Sequence, residues 1–144
     1  MNQYWIMKSR HQDEMYILPV FFAFDKQQFC HAMARLGLRP DETDAICKVG
    51  NIGWYMRKSD YPMYQAMSDR HAQEMRDAID ADTTGNGFIF DMFRQELADR
   101  EYCFTNDIMD TLDALGLTED EVNADKRLRH GLKKAMKAQG KITC

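Results

Sequence analysis

With 144 residues, 44% of them apolar and 29% charged, the chain can bury one sizeable core and is too apolar to stay disordered. A formal charge of −4 is too small to demand a polyanionic ligand, and the spacing of Cys30, Cys47, Cys103 and Cys144 excludes a C-x-x-C pair or a zinc ribbon. No apolar run approaches the ~18 residues that span a membrane, and no secretory leader pattern opens the chain, so a reduced, cytoplasmic protein with no metal or cofactor is expected.

The first helix is predicted from about Gln3 to Tyr16, where Tyr4, Met7, His11, Met15 and Leu18 recur at spacings of three or four. Pro19 ends it, and the aromatic run Val20–Phe24 reads as a buried strand. Asp25 and Gln28 form a capping box for a helix over Lys26–Leu36, stopped by Gly37. A short helix is predicted over Asp41–Val49, then a second strand over Gly53–Lys58. Ser59 or Asp60 caps the next helix, with Pro62 in its first turn and a stripe of Tyr64, Met67, His71, Met75 and Ala78 running to about Ile79. Its length marks it as the central helix.

After the Gly-rich loop, helices are predicted from Asp91 to about Tyr102 and from Thr105 or Asn106 to a stop at Gly116. Thr118 and Glu121 make a second capping box ahead of a short helix around Val122. A last helix over Ala124–Gln139 places Leu128, Leu132 and Met136 on one face. The fold class is therefore α+β and predominantly α. Six to eight helices are expected around a long central one, with a small two-stranded antiparallel sheet, in a single compact domain over residues 1–144.

The loop can be tried as a calcium site in two registers. From Asp82, Asn86 and Gly87 fall correctly, but Thr84 takes the third position and Phe93 the twelfth; from Asp80, Asp82, Gly85 and Asp91 fall correctly and Gly87 displaces the apolar residue at the eighth. The alternative to a calcium protein or enzyme centred on Asp80–Asp91 is a backbone reversal, in which Asp82 and Thr84 bond to local amides. Val49–Gly53 has a G-x-x-G spacing that leads into a strand, the wrong context for a nucleic-acid clamp. His11 and His71 sit on apolar stripes and read as satisfied boundary residues, and no catalytic triad or H-E-x-x-H is present.

Charge is segregated along the chain. From Glu101 to Asp125 stand eight acids, Glu101, Asp107, Asp110, Asp113, Glu119, Asp120, Glu121 and Asp125, with no Lys or Arg, whereas from Lys126 to Cys144 stand Lys126, Arg127, Arg129, Lys133, Lys134, Lys137 and Lys141 with no acid. The acidic block can meet a basic protein surface. On the last helix, Lys126, Arg129, His130, Lys133, Lys134 and Lys137 are the candidates for contacting nucleic acid, although no aromatic residue interleaves them for base stacking.

The run Asp82–Phe93, then Glu101–Thr105, Thr111–Leu117, Asn123–Asp125 and His130–Lys133, together with Phe22–Phe24, Gln28-Phe29 and Arg57-Lys58, resembles a family of small uncharacterised proteins carried by bacterial phages and integrative elements. The resemblance transfers no catalytic residue. It implies an accessory protein inside a bacterial cell that binds a host or mobile-element protein, for instance a defence nuclease blocked in the anti-CRISPR manner. The expected function is accordingly non-catalytic binding through the acidic surface, with nucleic-acid binding by the last helix as the alternative.

Overall fold

The structure, a computed structural model, describes residues 2–50 and 53–139. Lys141, Cys144 and the centre of the G-x-x-G segment lie outside the described residues. Eight α-helices and a three-stranded antiparallel sheet divide into two compact units, a helical one of Met1–Gln12 with Gln73–Cys144 and a sheet-bearing one of Asp13–Ala72.

In the sheet unit, α1 (Gln3–Ile17), which starts in the helical unit, reaches its end, and β1 (Val20–Phe22) and α2 (Lys26–Arg35) follow. Asp25 caps α2 by accepting from Gln28 N at 2.8 Å, and Gln28 Oε1 in turn accepts from Phe24 N at 2.8 Å, one residue before the cap. The predicted helix over Asp41–Val49 is not formed. Only a 3₁₀ turn over Thr43–Ala45 is present, and β2 (Ile46–Val49) takes its place.

The reason is tertiary. Ile46-Cys-Lys-Val49 pairs in register with β3 (Trp54–Arg57), Cys47 opposite Met56 and Lys48 opposite Tyr55, so backbone pairing outweighs the weak local helix signal. β1 pairs on the other side of β3, giving the order β1-β3-β2 and correcting the expected two-stranded sheet to three strands. Phe21, Tyr55 and Phe29 of α2 pack as an aromatic cluster on one face, and Met33 and Met56 are wholly buried.

The helix α3 (Tyr61–Ala81) is the longest, with Met67 its one buried residue, so it is not the core's centre as expected. That place belongs to α4 (Phe88–Asp99) in the helical unit, which starts three residues before its predicted first residue and buries Phe88, Ile89, Met92, Phe93 and Leu97. After α4 come α5 (Tyr102–Thr105), α6 (Met109–Leu115), α7 (Glu119–Ala124) and α8 (Lys126–Gln139). Leu112, Val122, Leu128, Leu132 and Ala135 complete the core, and Thr118 caps α7 as its sequence foretold.

α8 lies against α4 because glycine replaces a side chain twice. A Cβ on Gly131 would sit 2.6 Å from Ile89 Cγ2 and 2.9 Å from Gly85 O. On Gly85, which has φ +85°, it would sit 2.3 Å from the Arg127 carbonyl oxygen. Gly116, also at positive φ, has open space around it. Gly85→Ala should therefore cost about 3 kcal/mol, summing backbone strain and a steric clash, whereas Gly116→Ala should cost only about 1 kcal/mol of strain. Urea denaturation of the two variants measures the difference; equal losses would mean that α8 does not press on the loop.

Candidate functional site

The Gly-rich loop is built around one carboxylate. Asp82 Oδ1 accepts from Thr84 N (3.2 Å) and Gly85 N (2.9 Å), and Oδ2 from Gly87 N (3.1 Å) and Ile89 N (3.0 Å). Two of those amides open α4, so Asp82 performs the capping that Gly87, at the cap position, cannot. Burial opposes the charge, and the four amides outweigh it, holding the carboxyl below the usual aspartate range. Asp91 accepts from Gln3 N at 2.9 Å. Asp82 and Asp91 are thus turned to backbone amides, and among the described residues no group of three or more His, Cys, Asp or Glu is placed to hold a metal ion. The local-amide reading of the loop is the one the geometry matches.

The start of α8 locks onto this loop. Arg127 Nη1 donates to the carbonyls of Ile79 (2.9 Å) and Asp82 (3.0 Å), closing the C-terminal end of α3, while Nη2 pairs with Asp125 at 2.9 Å. His130 Nε2 lies 2.8 Å from Asn86 Oδ1, Lys134 donates to the same oxygen at 3.3 Å, and its ammonium sits 4.5 Å from the Phe90 ring centre. Two of the six candidate nucleic-acid contacts, His130 and Lys134, therefore also hold the loop. Lys126, Arg129, Lys133 and Lys137 are exposed at intervals of three and four, a single stripe with no ion pair among the described residues.

The acidic block spreads over α5, α6 and α7. Glu101, Asp107, Asp110, Asp113, Glu119, Asp120 and Glu121 are all exposed, and none has an ion pair among the described residues. Asp107 takes Met109 N at 2.9 Å and Glu121 takes the Thr118 hydroxyl at 3.1 Å, so these two have local structural work as well. Asp125 is the exception, committed to Arg127 and to the first amides of α8. Within the same stretch Phe104 is 70% exposed and Met109 42%. Phe104 sits on α5, one turn of helix held between Glu101 and Asn106, both left-handed at φ 58° and 54°. Non-glycine residues seldom adopt that conformation.

Sequence reasoning missed two polar constellations. In the helical unit, Glu96 is 2% exposed and its Oε1 accepts from the Tyr4 hydroxyl and the Lys8 ammonium, each at 2.6 Å, with Arg100 3.5 Å from Oε2. Burial raises the Tyr4 phenol well above its ordinary range, and Glu96 reinforces it. Burial also disfavours the Glu96 charge, but Lys8 and Tyr4 together keep its carboxyl lowered. The second signal was visible as Arg-His-x-x-Glu, present at Arg10–Glu14 and at Arg70–Glu74. Within the helical unit Arg10 and His11 bind Glu74; within the sheet unit Arg70 and His71 bind Glu14. The arginine, then the histidine, lowers each glutamate to about 2. Both histidines are satisfied, as their place on apolar stripes suggested.

Because the Asp82 carboxyl titrates lower in the fold than the ~3.9 of an unfolded aspartate, its contribution is complete above that value and disappears as pH falls toward the folded one. Asp82→Asn keeps only one acceptor oxygen and should lose about 2 kcal/mol at neutral pH. The gap to the wild type should narrow below pH ~4. Urea titrations across that range test this, and a gap independent of pH would show that the charge is not what closes the loop.

Neither a curated protein nor a solved structure matches the chain. A family model does match, over residues 3–138, which takes in both the loop and the two charged faces. By that match the chain belongs to DUF7659, a family of unknown function.

Proposed function

We propose that this protein works by non-catalytic binding, presenting the acidic face of α5–α7 to a basic surface on a protein partner. The observation that carries the reading is the coincidence of charge with apolar anchors: seven exposed acids share the stretch from Glu101 to Glu121 with Met109 and with Phe104, which at 70% is the most exposed large hydrophobic described in the helical unit. Exposed charges alone contribute little affinity and mainly steer encounter, whereas an aromatic side chain buried in a partner's pocket supplies the binding energy. The resemblance to proteins of phages and integrative elements makes the partner a host protein whose basic surface ordinarily receives nucleic acid. A defence nuclease inhibited in the anti-CRISPR manner is the specific case.

Replacing Asp110, Asp113 and Asp120 by lysine should abolish capture of such a partner from bacterial lysate while the thermal transition stays unchanged. Phe104→Ser should weaken capture about tenfold or more, as loss of a buried aromatic anchor does. Unchanged capture by both variants would remove this face from the mechanism.

A second reading rests on the exposed stripe of Lys126, Arg129, Lys133 and Lys137, a footprint that phosphates of a nucleic acid fit. It requires that labelled DNA or RNA bind with a log–log salt slope of about −3.6, the value for four phosphate contacts on duplex DNA. Charge reversal of Lys133 and Lys137 should abolish that binding. No gel shift at low salt would end this reading and leave the acidic face standing.

A further inference from the structure

We infer that the free edge of β2 in the sheet unit is a docking site for an extended acidic peptide segment, which joins the sheet as a fourth strand. Because β3 is central, no strand among the described residues pairs with the other side of β2, where alternate residues turn N–H and C=O away from β3. That edge is flanked by two clefts. One, of about 430 Å³, is bordered by Phe29, Thr43, Ile46, Cys47, Lys48 and Tyr55. The other, of about 450 Å³, is bordered by Cys47, Lys48, Lys58, Tyr61 and Pro62.

Cys47 and Lys48 border both clefts, so the two open along the strand edge itself, where the register turns successive side chains to opposite faces. Lys48 stands opposite Tyr55 and Ile46 opposite Arg57, so these side chains share the face covered by Phe29; Cys47 and its partner Met56 share the other. Neighbouring residues of an added strand point alternately to the two faces. One side chain would then enter the apolar cleft lined by Phe29 and Tyr55, and the next would reach the cleft beside Lys58. Main-chain pairing with alternating pockets is how strand addition recognises a peptide.

Charge selects the occupant. Among the described lining residues the only charged side chains are Lys48 and Lys58, both exposed. A carboxylate on the incoming strand complements them. A second copy of β2 would bring Lys48 toward another Lys48, and lysine on an edge strand discourages such self-pairing. The occupant is thus an acidic segment with apolar residues alternating with its acids. This site is remote in sequence from the acidic face of α5–α7, and neither assignment depends on the other.

The probe is a short fluorescent peptide with blocked ends, alternating glutamate with threonine, phenylalanine and valine, titrated against the full chain by anisotropy. Saturable binding is expected, weakened about tenfold when lysine replaces glutamate in the probe or in the protein variant K48E/K58E. N-methylation of one alternate set of probe amides should abolish binding and N-methylation of the other set should leave it, since only one set faces the sheet. This comparison uses the wild-type protein and stands even where K48E/K58E fails to fold. Absence of binding, or equal sensitivity to both methylation patterns, overturns the proposal. So does a concentration-dependent dimer that Lys48→Pro dissolves, because the edge would then belong to a second copy.

Discussion

The Asp82 carboxylate is the constraint from which the helical unit follows. A helix start leaves amides without partners, and a helix end leaves carbonyls without partners. In one short loop Asp82 takes the amides of Gly85, Gly87 and Ile89, while Arg127 takes the carbonyls of Ile79 and Asp82. One acid and one base thereby join the end of α3, the start of α4 and the start of α8. The glycines are the steric condition for this arrangement. With a side chain at position 85 the Arg127 backbone could not come so close, and with one at 131 the α8 axis would have to move away from Ile89.

This junction changes how the segregation of charge along the chain should be understood. The switch from acids to bases falls at Asp125 and Arg127, the pair that anchors α8, so at that point it is a structural device. Part of the remaining pattern suits the helix ends: Glu119, Asp120 and Glu121 occupy the first turn of α7, and Lys137 the last turn of α8, each sign where the helix dipole favours it. The dipole likewise suits Asp110 in the first turn of α6, but neither reason covers Asp113, nor the stripe of Lys126, Arg129 and Lys133. Those residues are exposed and outside any ion pair among the described residues, so neither capping nor pairing accounts for their charge.

What was legible in the sequence was local. Capping at Asp25 and Thr118, the stop at Gly116 and the start of β1 at Val20 depend on neighbours a few positions away, and they appear where expected. The strand β2 was not legible, because its four residues become a strand only by pairing with β3. Glu96 was hidden for a similar reason: it reads as a surface residue of a helix until Tyr4 and Lys8, some ninety positions earlier, supply the partners that let it be buried. The candidate site was half legible. Composition identified the acidic face and the basic helix, but it could not separate Lys134 and His130, which also bind Asn86, from the four cations that do not.

The two charged faces differ in what they can hold. Solvated ion pairs contribute about 0–1 kcal/mol each, because both partners give up hydration and side-chain freedom to form them. A face that carries charge alone therefore attracts quickly and holds weakly, unless its partner is a polyanion that releases condensed counterions. The α8 stripe is of that kind, since its opposite side, with Leu128, Leu132 and Ala135, is already spent on the core. The acidic face has in addition Phe104 and Met109, whose apolar area is still in contact with water and can be removed from it by a fitted pocket. Phe104 is carried on the helical turn between the left-handed Glu101 and Asn106, so its ring is presented from regular backbone. On these grounds the proposed lasting protein complex falls to the acidic face, and the basic stripe is suited only to phosphate.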